Sequence, residues 1–291
     1  MINAPAIIAK AYINFSRPIK RRGLYRTMQY INRIFPRQAA EVHTTTLGDS
    51  VFCFPASDPF WLVKTLSGKR HEPAIHDLIS RLSEKPILFV DCGANFGYWS
   101  VVMSEISSTV AIEGSRTTFD WLVRNNDINN HRFIALHAAI SDGSCAEVCF
   151  ATGGNHAGRG IITEGNHVER VPALTIDSVV DNYSKCDGLI FVKIDVEGAE
   201  VSAFVGAKSA FQSRSIFVYE DHGKDDQCTP SDYLLRQNRK IFYIKEGGKL
   251  EPVYDLDHVR EIKKSRSIGY DFATFGGSEV EQESLVNKLV G

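Results

Sequence analysis

The chain is short of several things. No apolar run in its 291 residues approaches transmembrane length, and Ile7-Ile8-Ala9 is too brief for a signal-peptide core. Its six cysteines form no Cys-x-x-Cys pair, which leaves no zinc or dithiol motif. Cys92, Cys145 and Cys149 read as buried thiols of a reducing compartment. There is no internal repeat and no low-complexity tract. Acid is missing from one region only. Before Glu41 stand eight of the 33 basic residues (Lys10, Arg17, Lys20, Arg21, Arg22, Arg26, Arg33, Arg37) and none of the 35 acidic ones. The remainder thus sets 25 basic against 35 acidic residues. Such asymmetry predicts a basic appendage that touches an anionic surface, or else a solvated face packed on an acidic domain. An Arg-rich, acid-poor start also fits a mitochondrial transit peptide, although serine is scarce in it.

What is present centres on Ile87 to Gly97, Ile-Leu-Phe-Val-Asp-Cys-Gly-Ala-Asn-Phe-Gly. Four apolar residues run into Asp91 and a turn bracketed by Gly93 and Gly97, and Tyr98 to Ile106 reads as a helix. A buried parallel strand, a glycine turn and a helix open a nucleotide site at the carboxyl edge of an α/β sheet. The turn is not Gly-x-Gly-x-x-Gly. Ala94 and Asn95 stand where a pyrophosphate needs glycine, and Asp91 would repel one. An acid facing the ligand suits a cation such as S-adenosylmethionine (SAM), which carries an ammonium and a sulfonium but no phosphate. Glu113 closes the next strand about 20 residues on, the spacing of an acid that holds ribose hydroxyls.

The β–α rhythm continues through strands at Ile87 to Asp91, Thr109 to Glu113, Phe133 to Ile140, Leu189 to Asp195 and Ser215 to Tyr219. Ahead of them, Val42 to Phe54 predicts a hairpin around Gly48-Asp49, and Pro59 to Leu66 and Glu72 to Leu82 predict helices. Short strands are expected at Ala146 to Ala151 and Val168 to Leu174, around a Gly/Asn-rich loop at 153–158. Pro230 opens a helix, and strands at Ile241 to Lys245 and Phe272 to Phe275 flank a surface excursion, Gly247 to Ser267. The expected organisation is a basic appendage (1–50), a helical lead-in (51–85), a catalytic α/β domain (86–277) and a tail (278–291).

The segments Val-Asp-Cys-Gly-Ala-Asn-Phe-Gly, Ala-Ile-Glu-Gly, Ala-Ala-Ile-Ser-Asp, Thr-Ile-Asp-Ser and Val-Lys-Ile-Asp-Val-Glu-Gly-Ala-Glu occur in that order between about 86 and 222. Together they resemble the FkbM-type family of SAM-dependent methyltransferases. Glu113-Gly114 departs from the Glu-Pro common there. The resemblance implies a Rossmann-like class I fold, a doubly wound, mostly parallel seven-stranded sheet whose last strand is antiparallel. It implies O-methylation of a hydroxyl on a sugar, glycan or natural product. It places Asp91, Gly93, Asn95 and Gly97 at the methionine end of SAM, Glu113 on the ribose and Asp142 near the adenine. Asp142 also reads as a turn residue before Gly143.

An alcohol is a poor nucleophile near neutral pH, so a base or a metal should assist. In one reading His222 is the base, with Asp195 and Glu197 beside it. In the other, Asp195 with Glu220 or Asp221 binds Mg²⁺. His222 also reads as a plain loop histidine, Glu197 as an acid at a helix N-terminus, and Glu200 as a solvated or capping residue. Lys193, inside a buried run, needs an acidic partner. The expected partner is a small-molecule or glycan acceptor, not nucleic acid. The expected location is cytoplasmic, with peripheral membrane contact through the basic segment. Two competing readings are a nucleotide-dependent oxidoreductase and a non-catalytic module acting through its basic N-terminus.

Overall fold

A computed structural model describes Tyr30 and residues 41–151, 168–264 and 268–290. The basic segment before Glu41 and the Gly/Asn-rich loop at 153–158 lie outside these residues. The chain divides into two compact units, Met1–Glu72 and Pro73–Gly291.

In the first unit β1 (Val42–Leu47) pairs antiparallel with β2 (Ser50–Pro55), turning at Gly48-Asp49, where Gly48 supplies φ 61°. β2 buries Phe52 and Phe54, and Phe52 meets Trp61 edge-on at 4.7 Å. Trp61 belongs to the helix Pro59–Leu66, which Asp58 caps by accepting the Trp61 N–H at 2.8 Å.

The second unit carries β3 (Leu88–Cys92), β4 (Ser108–Glu113), β5 (Ile134–His137), β6 (Ala139–Ile140), β7 (Glu147–Ala151), β8 (Val168–Leu174), β9 (Ile190–Ile194), β10 (Ser215–His222), β11 (Ile241–Ile244), β12 (Leu250–Val253) and β13 (Gly269–Phe275). Eight of them form one sheet in the order β12-β11-β13-β10-β9-β3-β4-β5. β5, β4, β3, β9 and β10 run parallel, and β13 slots antiparallel between β10 and β11. This is the Rossmann-like class I arrangement, doubly wound and mostly parallel, with β12 added at the edge as an eighth strand. β3 and β9 are all-buried strands of apolar type, as a central parallel strand requires. From β3 the chain winds outward through β4 and β5, then returns to lay β9 on the opposite side. The switch point is therefore the β3–β9 seam, where an open sheet leaves a crevice at its carboxyl edge.

Three expectations change. The strand expected over Phe133 to Ile140 breaks at Ala138, so that β5 joins the main sheet and β6 joins β8 and β7 in a smaller one. The excursion expected at Gly247 to Ser267 contains β12 and the helix Leu256–Ile262, because Leu250, Val253 and Val259 bury apolar surface between charged neighbours. Cys145 and Cys186 are exposed and Cys149 half-buried, whereas Cys53, Cys92 and Cys228 are buried. Segment 278–290 holds the helix Glu279–Leu289, opened by a Ser278/Glu281 capping box. Among the described residues no helix is long and apolar enough to cross a membrane.

Candidate active site

The glycine turn is tied to β4 and β9 by short bonds. The Gly93 and Ala94 N–H groups donate to the Ile112 carbonyl at 3.0 and 2.9 Å, and the Asp195 N–H donates to the Cys92 carbonyl at 3.0 Å. Gly93 has φ 81°, and a Cβ there would lie 1.9 Å from the Asp195 carbonyl oxygen. Only glycine lets these two backbones approach so closely. Asn95 also has positive φ (53°), a conformation asparagine tolerates, and its Oδ1 accepts the Phe96 N–H at 2.8 Å.

Glu113 holds the other side. Its Oε2 accepts the Asn95 N–H at 2.9 Å and its Oε1 the Ser115 N–H at 2.8 Å. A carboxylate offers about four acceptor positions, so an acid placed here can pair with hydroxyl donors. Asp91 is buried and its Oδ2 accepts the Ser100 hydroxyl at 2.6 Å. Asp91, Gly93, Asn95, Gly97 and Glu113 thus form one assembly at the carboxyl ends of β3 and β4. Asp142 lies apart in an exposed turn after β6. Hydrogen bonds from Ser144, whose N–H lies 2.8 Å from Oδ1, hold its carboxyl below the usual range.

Sheet register brings a second group together. Asp91 pairs with Lys193, and Lys193 with Val218. Because side chains alternate along a strand, Asp195 and Glu220 fall on the same face as Asp91 and Lys193. Glu113, two residues past the Asp91 partner Ala111, shares that face, as does Asp271 opposite Glu220. A row of carboxylates therefore crosses the sheet with one lysine in it. Lys193 is buried, and its Nζ sits 3.2 Å from Asp195 Oδ2, the partner its place in an apolar strand demands.

Charge crowding shows in the titration of these groups. Burial, then repulsion from Asp195 and Asp271, pushes the Glu220 carboxyl up to about 9. Glu197 is pushed up to about 7. The first cause is burial of its carboxyl among neighbouring chain, although the residue as a whole keeps an exposed surface. Repulsion from Asp195 and Glu200 adds to this. Glu197 has φ 51° and precedes Gly198 at φ 101°, so the loop after β9 is held in a left-handed form that aims it at the site. Glu200 is buried, not solvated, and accepts the Gly198 N–H at 3.1 Å.

A cavity of about 400 Å³ opens beside this cluster, lined by Glu197, Glu200, Val201, Glu220, His222 and Thr229 among others. It lies on the β10 side of Asp195, while the glycine turn and Glu113 lie on the β3–β4 side. The two ligand positions expected of a transferase are thus separated by the Asp195 loop.

Two expected roles meet obstacles. Asp221 does not belong to the site. It alternates to the opposite face from Glu220, is fully buried, and spends both oxygens: Oδ1 on Lys263 Nζ at 2.5 Å and Oδ2 on the Ser231 hydroxyl at 2.6 Å. Asp195 is already held by Lys193. Of the two expected sets, Asp195 with Asp221 is split across the sheet, and Asp195 with Glu220 offers one carboxylate already paired to Lys193 and one carboxyl pushed up to about 9, so neither fits Mg²⁺. Among the described residues no group of three or more His, Cys, Asp or Glu is placed to hold a metal ion. His222 lines the cavity, but its Nδ1 accepts the Lys224 N–H at 3.1 Å. A neutral imidazole that accepts at Nδ1 carries its proton on Nε2, so the ring presents a donor to the cavity. Glu197 remains as a proton acceptor, whereas Glu220, pushed up to about 9, holds its proton near neutral pH.

The family model for the methyltransferase FkbM domain matches residues 91–271. The hexuronic acid methyltransferase AglP of Haloferax volcanii is 27% identical over 180 residues, covering 60% of this chain and 71% of that protein. Among solved structures, the precorrin-6y C5,15-methyltransferase of Geobacter metallireducens aligns at TM-score 0.41 and 11% identity, over 70% of this chain and 87% of that one. An rRNA methylase of Streptococcus thermophilus aligns at TM-score 0.38 and 8% identity, over 72% and 98%.

Proposed function

Because this chain belongs to the FkbM methyltransferase family, we propose that it moves the methyl group of SAM onto a hydroxyl of a sugar, free or borne by a glycan or natural product. SAM-dependent methyl transfer replaces the oxidoreductase reading. The finer choice of a sugar hydroxyl is supported by the acceptor class of the Haloferax relative. One observation carries the reading. The loop that packs on the cofactor-type turn, through Asp195 against Gly93 and Cys92, runs on into the acid-lined cavity at Glu197 and Gly198.

In this reading SAM lies along β3 and β4, with its ribose on Glu113 and its cationic end over the Asp91–Asp195 row. The acceptor enters from the cavity. Its oxygen attacks the methyl carbon in line with sulfur, the C–S bond breaks with its electron pair going to sulfur, and S-adenosylhomocysteine (SAH) leaves. The hydroxyl proton passes to Glu197, and the His222 Nε2–H donates to a second acceptor oxygen. Holding oxygen, methyl and sulfur in line provides much of the acceleration.

Labelled SAM offered to a panel of sugar glycosides tests the reaction. Glu113→Ala tests the cofactor placement. Loss of the ribose partner is expected to weaken SAM binding by about 1–3 kcal/mol in calorimetry. Unchanged affinity would remove Glu113 from the site. Because Glu113 also holds the turn, Glu113→Gln serves as control and should keep the fold while losing part of the affinity.

The basic segment before Glu41 is proposed to dock on an anionic membrane. Co-sedimentation with anionic vesicles should fall as salt rises, since exposed charges are screened over about 8–10 Å. A chain starting at Val42 that pellets equally well would exclude this role.

A further inference from the structure

The lining of the cavity bears on which sugar enters it. Glu197, Glu200, Glu220 and Asp225 supply carboxyls, and among the described residues no Lys or Arg lines the space. The nearby cations are turned elsewhere. Lys193 on β9 is bound to Asp195, and Lys263, after the helix Leu256–Ile262, is closed into its pair with Asp221. Lys224 lies on the exposed surface beyond β10, close enough to act on Glu197 but outside the lining. Asp195 and Asp271 stand behind Glu220 and add to the negative field.

Resting on the sugar-hydroxyl reading above, we propose that this pocket takes an uncharged or amine-bearing sugar and discriminates against uronic acids. A uronate brings a carboxylate that stays ionised at neutral pH. Such a group binds where a guanidinium, an ammonium or converging N–H donors meet it. Here it would face carboxyls at close range in a partly enclosed space, where like charges are poorly screened. Glu197 and Glu220 titrate high first because they are buried and then because neighbouring carboxylates repel their charge, and a uronate carboxylate placed beside them would meet the same two penalties. A protonated Glu220 can donate one hydrogen bond to a uronate but supplies no charge. Neutral hydroxyls gain from the same lining, because carboxylates and carboxyls both pair with them. The acceptor class therefore differs from that named for the Haloferax relative, although the two chains share the family.

The test uses the full chain, labelled SAM and matched methyl glycosides in the gluco, galacto and manno series, each as hexose, hexosamine and uronate. In every series that accepts methyl, kcat/KM for the hexose or hexosamine should exceed that for the uronate at least tenfold. The gap should narrow as pH falls from 8 to 6 and the acids protonate. Thr229→Lys, which places a cation in the lining, should raise the uronate-to-hexose ratio about tenfold. A uronate preferred over its neutral partner in any accepting series would overturn the proposal. The same holds for a preference that depends on Lys224 and is lost in Lys224→Met. If none of the sugars accepts methyl while SAM binding persists, the sugar reading itself falls and this proposal falls with it.

Discussion

Lys263→Met is expected to lower the unfolding free energy by about 3–5 kcal/mol, the usual consequence of stripping one partner from a buried ion pair. The Lys263 ammonium donates to Asp221 at 2.5 Å and to the Asp225 carbonyl at 2.6 Å, and lies 3.5 Å from Cys228 Sγ. Without it the Asp221 carboxylate, fully buried, would keep only Ser231. Ser231 in turn meets the Tyr219 hydroxyl at 3.1 Å, so the loss spreads into the core at β10. The double variant Lys263→Met/Asp221→Leu removes both charges and should recover a large part of the loss, since replacing a buried pair with apolar groups is often near neutral. Urea unfolding with an unchanged slope measures both. A loss under about 1 kcal/mol for the single variant would mean that water reaches Asp221.

Glu197→Gln is expected to reduce kcat by roughly 10²–10⁴-fold, the contribution of a positioned base. SAM affinity should change far less. The base works deprotonated, so activity in the wild type should rise with pH through an apparent value near 7 and then level off. That limb belongs to the coupled carboxyl cluster rather than to one residue. Bound SAM adds positive charge and should move the limb to lower pH in kcat than in kcat/KM. Glu197→Gln should erase the limb. His222→Leu, removing the donor, should cost about tenfold or less, and EDTA should leave the rate unchanged. A greater loss at His222 than at Glu197, with the pH limb intact in Glu197→Gln, would return the base to the histidine.

Much of this architecture is legible in the sequence. The apolar run into Asp91 and the glycine turn gave β3 and the helix after it, and Glu113 fell at the end of β4 as spacing required. Lys193 demanded a partner and has one in Asp195. Several of the differences share a cause: charged residues mask strands and helices. β10 was expected to end at Tyr219 because Glu220, Asp221 and His222 break the apolar run, yet pairing with β13 carries it to His222. Once that stretch is a strand, alternation puts Asp221 on the opposite face from Asp195 and Glu220, and the metal set that used Asp221 is lost. β12 and the helix Leu256–Ile262 were missed for the same reason. The proton position on His222 is set by a backbone N–H two residues on, a loop geometry that residue types do not encode. Glu220 was named only as a metal ligand. Its high titration arises first from burial and then from Asp195 and Asp271, which the sheet brings beside it from distant parts of the chain.

The carboxylate row that crosses β4, β3, β9, β10 and β13 holds a single lysine, and this imbalance has a kinetic meaning. Before transfer the cofactor is a sulfonium, and the row attracts it. After transfer sulfur is a neutral thioether, and the same row has nothing left to attract there. The enzyme would therefore grip its substrate more firmly than its spent product by electrostatics alone. Turnover would be protected from the product inhibition that close similarity between SAM and SAH would otherwise impose. The SAM-to-SAH affinity ratio would then fall as the row is neutralised by acid.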